Sequence, residues 1–201
     1  MEHPPSPFLR KHYEQKYTVN DLIKEFNADI KLDYVFFWQT DEGKGYSSKG
    51  CFSQWQTSNF IAEARRYFCA EQYMMGRKAL AFDDLETFEK IMSANHPREI
   101  KSLGRKIKNF DQTEWDYVKY SIVLNGNFYK FTQNEKMLEV LLSTENKILV
   151  EASPFDEIWG VGLSEDDEKI KNPNYWKGQN MLGFALMEVR DEIKKSITVI
   201  L

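Results

Sequence analysis

A chain of 201 residues, 42% hydrophobic and 14% aromatic, is long enough to fill one core, and no shift in composition along its length divides it. Its 27 basic and 31 acidic residues are mixed throughout and leave a formal charge of −4, which excludes a bulk electrostatic pull toward nucleic acid or anionic membrane. Two cysteines, Cys51 and Cys69, at no metal-ligand spacing exclude a disulfide framework or a zinc site, and the scattered His3, His12 and His96 disfavour Ser-His or Cys-His catalysis.

The opening residues Met1-Glu2-His3-Pro4-Pro5 lack the basic and then apolar pattern of a secretory signal, and no apolar run approaches the ~20 residues that span a bilayer. A cytoplasmic protein without a membrane partner is expected. Residues 1–33 are polar and proline-bearing and read as an N-terminal appendage to a single main domain over 34–201. A helix is expected across Thr18 to Phe26, capped by Asn20 or Asp21. Tyr34 to Trp38 reads as a short aromatic strand. Asp41 to Gly50 is a glycine and serine loop whose Lys44 and Lys49 offer either phosphate contacts or an ordinary surface. Apolar spacing then predicts helices over Ala62 to Ala79, over Asp84 to Ser93, and from near Pro97 through Ile100, Leu103 and Ile107. Glu114 to Leu142 reads as two helices broken near Thr132 and Gln133, and Ile148 to Val150 as a central strand. From Asn180 a last helix sets Leu182, Ala185, Leu186, Val189 and Ile193 on one face. The fold class is α+β, mainly α-helical with a small β-sheet.

Two segments carry candidate chemistry. In Glu71-Gln72-Tyr73-Met74-Met75-Gly76-Arg77-Lys78 a carboxylate and an amine stand seven residues apart. Seven helical steps return to within about 20° of the start and rise about 10.5 Å, so both side chains share a face with room for a small polar substrate between them. The ordinary alternative is a solvated charged face. Tyr67, Phe68, Cys69, Tyr73, Met74 and Met75 leave little polar circumference, however, and apolar walls push a lysine toward its neutral, nucleophilic form. Gly76 admits close approach, either by a ligand or by another helix, and Cys69 reads as an apolar filler. The second segment, Glu151 to Gly162, places Glu151 and Asp156 at a strand end, where loops hold acids against a rigid scaffold. Trp159 beside Gly160 and Gly162 is either a floor for a flat ring or part of the core. The two segments are expected to be halves of one site. Lys130, among Phe128, Tyr129 and Phe131, is a phosphate ligand or a snorkelling surface residue.

Six stretches recur together: Cys51-Phe52-Ser53-Gln54-Trp55, Ala70-Glu71-Gln72-Tyr73 to Lys78, Leu103-Gly104-Arg105, Lys130 to Asn134, Leu149 to Gly162, and Gly178-Gln179-Asn180-Met181-Leu182-Gly183 leading to Arg190. In this order, over about residues 36–190, they resemble the NADAR family, also called YbiA-like, whose characterised members are N-glycosidases. Where family members commonly read Ser-Asn-Phe, this chain reads Ser53-Gln54-Trp55. The resemblance implies cleavage of the C–N bond between ribose and an amine or base. The implied partner is a small-molecule ribosylamino-pyrimidine phosphate of riboflavin synthesis or, alternatively, ADP-ribosylated guanine, with nucleic acid entering only as a modified substrate. A noncatalytic module that binds ADP-ribose or a nucleotide is a third reading. Under the resemblance Lys78 is nucleophile or Schiff-base residue, Glu71 its activator or proton carrier, and Asp156 and Glu151 are water-activating or ribose-binding acids. Trp159 and Gly160 meet the ring, Ser53, Gln54, Trp55 and Asn180 line the substrate pocket, and Arg105 and Lys130 contact phosphate. No metal or redox cofactor is called for.

Overall fold

The computed structural model describes residues 6–8, 12–40 and 48–200, so Lys44 of the expected glycine and serine loop lies outside the described residues. In chain order the elements are α1 (Val19–Asn27), β1 (Tyr34–Phe37), β2 (Phe60–Ala62), β3 (Arg65–Tyr67), α2 (Ala70–Ala81), α3 (Leu85–Ser93), α4 (Pro97–Gly104), α5 (Gln112–Thr132), α6 (Glu135–Ser143), β4 (Ile148–Glu151) and α7 (Met181–Ile200). The fold class is α+β and mainly helical. No helix of the described residues is long and apolar enough to cross a membrane. The chain divides into two compact units, Met1–Tyr13 with Gln54–Glu135, and Glu14–Ser53 with Lys136–Leu201.

In the first unit the expected helix from Ala62 begins only at Ala70. The preceding residues form an antiparallel hairpin, with Phe60 opposite Tyr67 and Ala62 opposite Arg65. Its turn is Glu63-Ala64, both left-handed at φ 46° and 59°, the two-residue conformation whose twist matches that of a hairpin. Neither residue is the asparagine or glycine that marks such a turn, which is why composition alone points to a helix here. Next, α2 packs on α3, α4 and α5. Two glycines set how closely. A Cβ at Gly126 of α5 would stand 2.7 Å from Tyr73 Cδ1, and one at Gly104 of α4 would stand 2.1 Å from Met75 Sδ. Tyr73 is fully buried, edge-to-face with Tyr67 at 5.1 Å, and its hydroxyl donates to Glu63 at 3.0 Å. Asp84 joins two loops: Oδ1 accepts the Thr87 N–H at 3.0 Å to cap α3 and Oδ2 accepts the Lys108 N–H at 2.9 Å. These donors, that of Lys108 foremost, hold its carboxyl down to about 2.

In the second unit β1 and β4 pair in parallel, from Tyr34 opposite Ile148 to Phe37 opposite Glu151, and α7 packs on β4. The first helix is capped by Thr18 rather than Asn20 or Asp21: Thr18 Oγ1 accepts the Asp21 N–H at 3.2 Å, and the hydroxyl donates to the Asp21 carboxylate at 2.6 Å. The two bonds explain the choice, since the Thr18 hydroxyl satisfies one free N–H of the first turn and is itself held in place by the Asp21 carboxylate. Just before it, Lys16 and Tyr17 both donate to Asp191 on α7, Tyr17 at 2.6 Å.

The Gly126 contact predicts that Gly126→Ala destabilises the protein by about 1–3 kcal/mol through overpacking against Tyr73. A thermal melt reads it as a lowered midpoint, and an unchanged midpoint would mean that the tyrosine ring yields freely.

Candidate functional site

In the first unit the candidates gather on α2. Glu71, in its first turn, is 4% exposed. Its N–H donates to the Gln54 carbonyl at 2.9 Å, and Gln54 Nε2 donates to Asn127 Oδ1 on α5 at 3.0 Å. Gln54 therefore ties the entry of α2 to α5. The next residue, Gln72, is also buried; its Oε1 accepts the Phe68 N–H at 3.0 Å and its Nε2 donates to the Ile91 and Ala94 carbonyls at 3.1 and 3.2 Å. The first turn is thus clamped by amides on two sides, which fixes the direction in which Glu71 projects.

Lys78 lies in the last turn, half-buried. Its Nζ donates to the Gly104 carbonyl at 3.1 Å, and sits 4.2 Å from the centre of the Phe110 ring and 5.3 Å from that of Trp115. Burial pushes its amine below the ordinary lysine value, and the negative charge of Glu71 offsets part of that shift. No sequence signal marks these two rings as neighbours of the amine. Trp115 reads as the apolar face of α5, and Phe110 falls in the aperiodic stretch before the Asp111 cap, so only the packing of three separate elements brings them together.

The other candidates of this unit differ in exposure. Trp55 is half-buried with Lys101 Nζ 5.9 Å from its ring, and Arg105, exposed, caps the C-terminal end of α4. Lys130 is 0% exposed on α5, so the surface reading of it does not hold. A Cβ at Gly76 would meet the Phe88 ring at 3.4 Å, so α3 lies against this side of α2. Cys69 is wholly buried, which pushes its thiol up to about 12.

In the second unit, the end of β4 and the loop after it hold the acids. Glu151 is fixed through its backbone: its N–H donates to Asn180 Oδ1 at 3.0 Å and its carbonyl accepts from Val161 at 3.0 Å. Asn180, 0% exposed and at φ 52°, also donates from Nδ2 to the Leu149 carbonyl at 2.9 Å. Its carboxamide thus acts as a short partner strand for β4. Asp156 Oδ1 accepts from the Ile158 N–H at 3.0 Å and the Trp159 N–H at 2.7 Å, closing an Asx turn that orients the half-buried Trp159. A Cβ at Gly160 would stand 2.9 Å from the carbonyls of both Glu151 and Asp156, and one at Gly178 would stand 2.2 Å from the Gly160 carbonyl. These glycines bring backbone onto backbone. Ser53 is buried after the short turn at Lys49–Phe52, and Lys49 pairs with Glu165 at 2.6 Å. Phe155 is 85% exposed, its ring centre 6.0 Å from that of Trp38.

Comparison with known proteins places these residues in context. The NADAR domain pattern matches residues 36–194. An N-glycosidase of Acanthamoeba polyphaga mimivirus is 44% identical over 164 residues, 79% of this chain and 95% of that protein. A chloroplastic riboflavin biosynthesis protein of Zea mays is 31% identical over 130 residues, 61% of this chain and 19% of that protein. Among solved structures, the NMR structure of the Escherichia coli protein YbiA shares the fold, with a TM-score of 0.67 at 22% identity over 98% of this chain and 96% of that one.

The Asx turn yields a stability test. Asp156→Ala strands two backbone N–H groups and is expected to cost about 1–2 kcal/mol, whereas Asp156→Asn keeps the accepting oxygen and stays within about 0.5 kcal/mol of the parent. Urea midpoints of the two variants check the difference.

Proposed function

Because this chain belongs to the NADAR domain family, we propose that it is an N-glycosidase whose substrate is a ribosylamino-pyrimidine phosphate. The observation that carries this reading is the half-buried amine of Lys78, pushed toward its neutral form on the same helix as the buried carboxylate Glu71. An amine in that state attacks carbon, and a carboxylate on the same helical face moves the proton. The names of the mimivirus and maize relatives support the bond class and the substrate class respectively.

The reaction follows from these two groups. Neutral Lys78 Nζ forms a bond to C1 of the ribose as the C1–N bond to the pyrimidine amine breaks. A proton leaves Nζ and the departing nitrogen gains one, Glu71 being the proposed carrier by way of water. The sugar ring then opens: the C1–O4 bond breaks, O4 takes a proton from solvent water, and C1 and Nζ share the double bond of an iminium. Water adds to C1 and returns a proton to solvent, the C1–Nζ bond breaks as the proton of the new hydroxyl passes to Nζ, and ribose phosphate leaves with Lys78 regenerated. Net, one water is consumed and one amine released. Arg105, exposed at the end of α4, is proposed as a phosphate contact.

The test offers the purified protein a ribosylamino-pyrimidine phosphate and, separately, ADP-ribosylated guanine DNA, each with and without borohydride. Release of the pyrimidine amine and a reduced sugar adduct on Lys78 are expected with the first substrate. Turnover of the DNA alone would overturn the substrate assignment, and turnover without any adduct would overturn the role of Lys78.

Two variants test the acid–base pair. Lys78→Ala and Glu71→Gln are each expected to lower kcat by about 10²–10⁴-fold. The parent's kcat/KM should climb with pH along an ionisation below that of an ordinary lysine. Since the Glu71 charge favours the ammonium, Glu71→Gln should move that limb to lower pH. A shift to higher pH would contradict the coupling.

A further inference from the structure

The nitrogen of Lys78 has three neighbours of uncommon kind for a lysine: one carbonyl oxygen and two aromatic faces. Gly104 O lies 3.1 Å away, the Phe110 ring centre 4.2 Å and the Trp115 ring centre 5.3 Å. Both rings fall within the ~6 Å over which a ring quadrupole attracts a cation. Each ring is held in place. Trp115 is buried in the first turn of α5, which Asp111 caps by accepting the Glu114 N–H at 2.8 Å. Phe110 stands edge-to-face on the buried Phe82, the C-cap of α2, with centres 5.1 Å apart. It is nevertheless 41% exposed, so it is no ordinary core side chain.

Resting on the reading of Lys78 as the reacting amine, we infer that Phe110 and Trp115 form an aromatic seat that stabilises the positive charge on Nζ while the iminium to the sugar carbon exists. The chemistry asks for such a group. During the cycle the nitrogen passes from a neutral amine, which must attack, to a cation, which must persist until water adds. A carboxylate in contact would stabilise that cation but would also take up its proton and hold the resting ammonium fast. A ring face attracts the cation and offers no basic site. The Gly104 carbonyl completes the seat by accepting the one N–H that the iminium retains. From its own helix the charged group acting on Lys78 is Glu71, whose negative charge favours the ammonium. From α4, the Phe110 stretch and α5, the contacts are the carbonyl and the two rings.

The experiment replaces Phe110 site-specifically with phenylalanines bearing one, two and three ring fluorines, which weaken the quadrupole stepwise while nearly preserving shape. Two readouts are taken on each protein. The first is the titration of Lys78 itself, followed by the pH dependence of its acylation in peptide mass spectra. The second is the yield of borohydride-trapped adduct with the ribosylamino-pyrimidine phosphate. The expected result is a graded fall of both, the Lys78 ionisation moving to lower pH with each fluorine and the adduct declining by about 5- to 30-fold across the series. Phe110→Leu, which keeps an apolar side chain without a quadrupole, should match the most fluorinated protein, and Phe110→Tyr should match the parent. A flat response in both readouts, with folding intact by thermal melt, overturns the seat. If the parent forms no adduct with any riboside, the catalytic reading of Lys78 fails, and a graded titration in the same series still establishes that the rings hold charge at this nitrogen.

Discussion

Desolvation of one amine is the constraint on which the first unit turns. As the proposed nucleophile Lys78 must spend part of its time without its proton, and in water near neutral pH a lysine hardly does. Here α2 supplies the remedy by being buried over most of its surface, including two polar residues, Glu71 and Gln72, that helices normally turn outward. The Gln72 amide makes its own burial tolerable by accepting the Phe68 N–H and donating to the Ile91 carbonyl, and the Gln54 amide binds Asn127 of α5. Gly104 and Gly126 then bring α4 and α5 in to distances that any side chain would forbid. The close approach of α4 is what delivers the Gly104 carbonyl to Lys78. Packing and chemistry are therefore the same fact seen from two sides.

In the second unit the recurring device is backbone held by backbone. Two parallel strands of four residues each are too short to stabilise one another in isolation. Asn180 extends the pairing of β4 with a side-chain amide, and Gly183 lets the first turn of α7 press to where a Cβ would lie 2.1 Å from the Leu149 carbonyl. The loop that follows β4 is closed by Asp156 and by Gly160. Its tryptophan and acids are thus carried on a framework whose hydrogen bonds are internal, as a loop presenting side chains to a ligand requires.

What was legible in the sequence is the periodic part. The apolar spacing through α3, α4, α5, α6 and α7 locates those helices, the aromatic run at Tyr34 and the aliphatic run at Ile148 locate β1 and β4, and the seven-residue interval sets Glu71 and Lys78 on one helix. The hairpin of β2 and β3 was not legible, because Glu63 and Ala64 adopt left-handed angles without the residues that advertise them. Asn20 and Asp21 are the stronger capping types, but of the three only Thr18 has an acid three residues on, and it is the cap. Gly160 reads only as a neighbour of Trp159 in a floor for a ring, and nothing in the sequence shows that a Cβ there, or at Gly178, would meet main-chain atoms. Long-range approach of this kind leaves no periodic trace. The same holds for Phe110 and Trp115 around the Lys78 amine: local spacing says which side chains share a helix face and nothing of which rings arrive from elsewhere.

The separation of Glu71 and Lys78 along α2 has its own logic. Attraction between two charges falls as the inverse of their separation, so an acid about two turns away along the helix favours the ammonium far less than one in contact would. Of the two effects on Lys78, burial outweighs the Glu71 charge, as the direction of its shift requires. In the proposed cycle the cationic stage is the one at which ring faces, which attract charge without fixing a proton, have an advantage over a carboxylate in the same place.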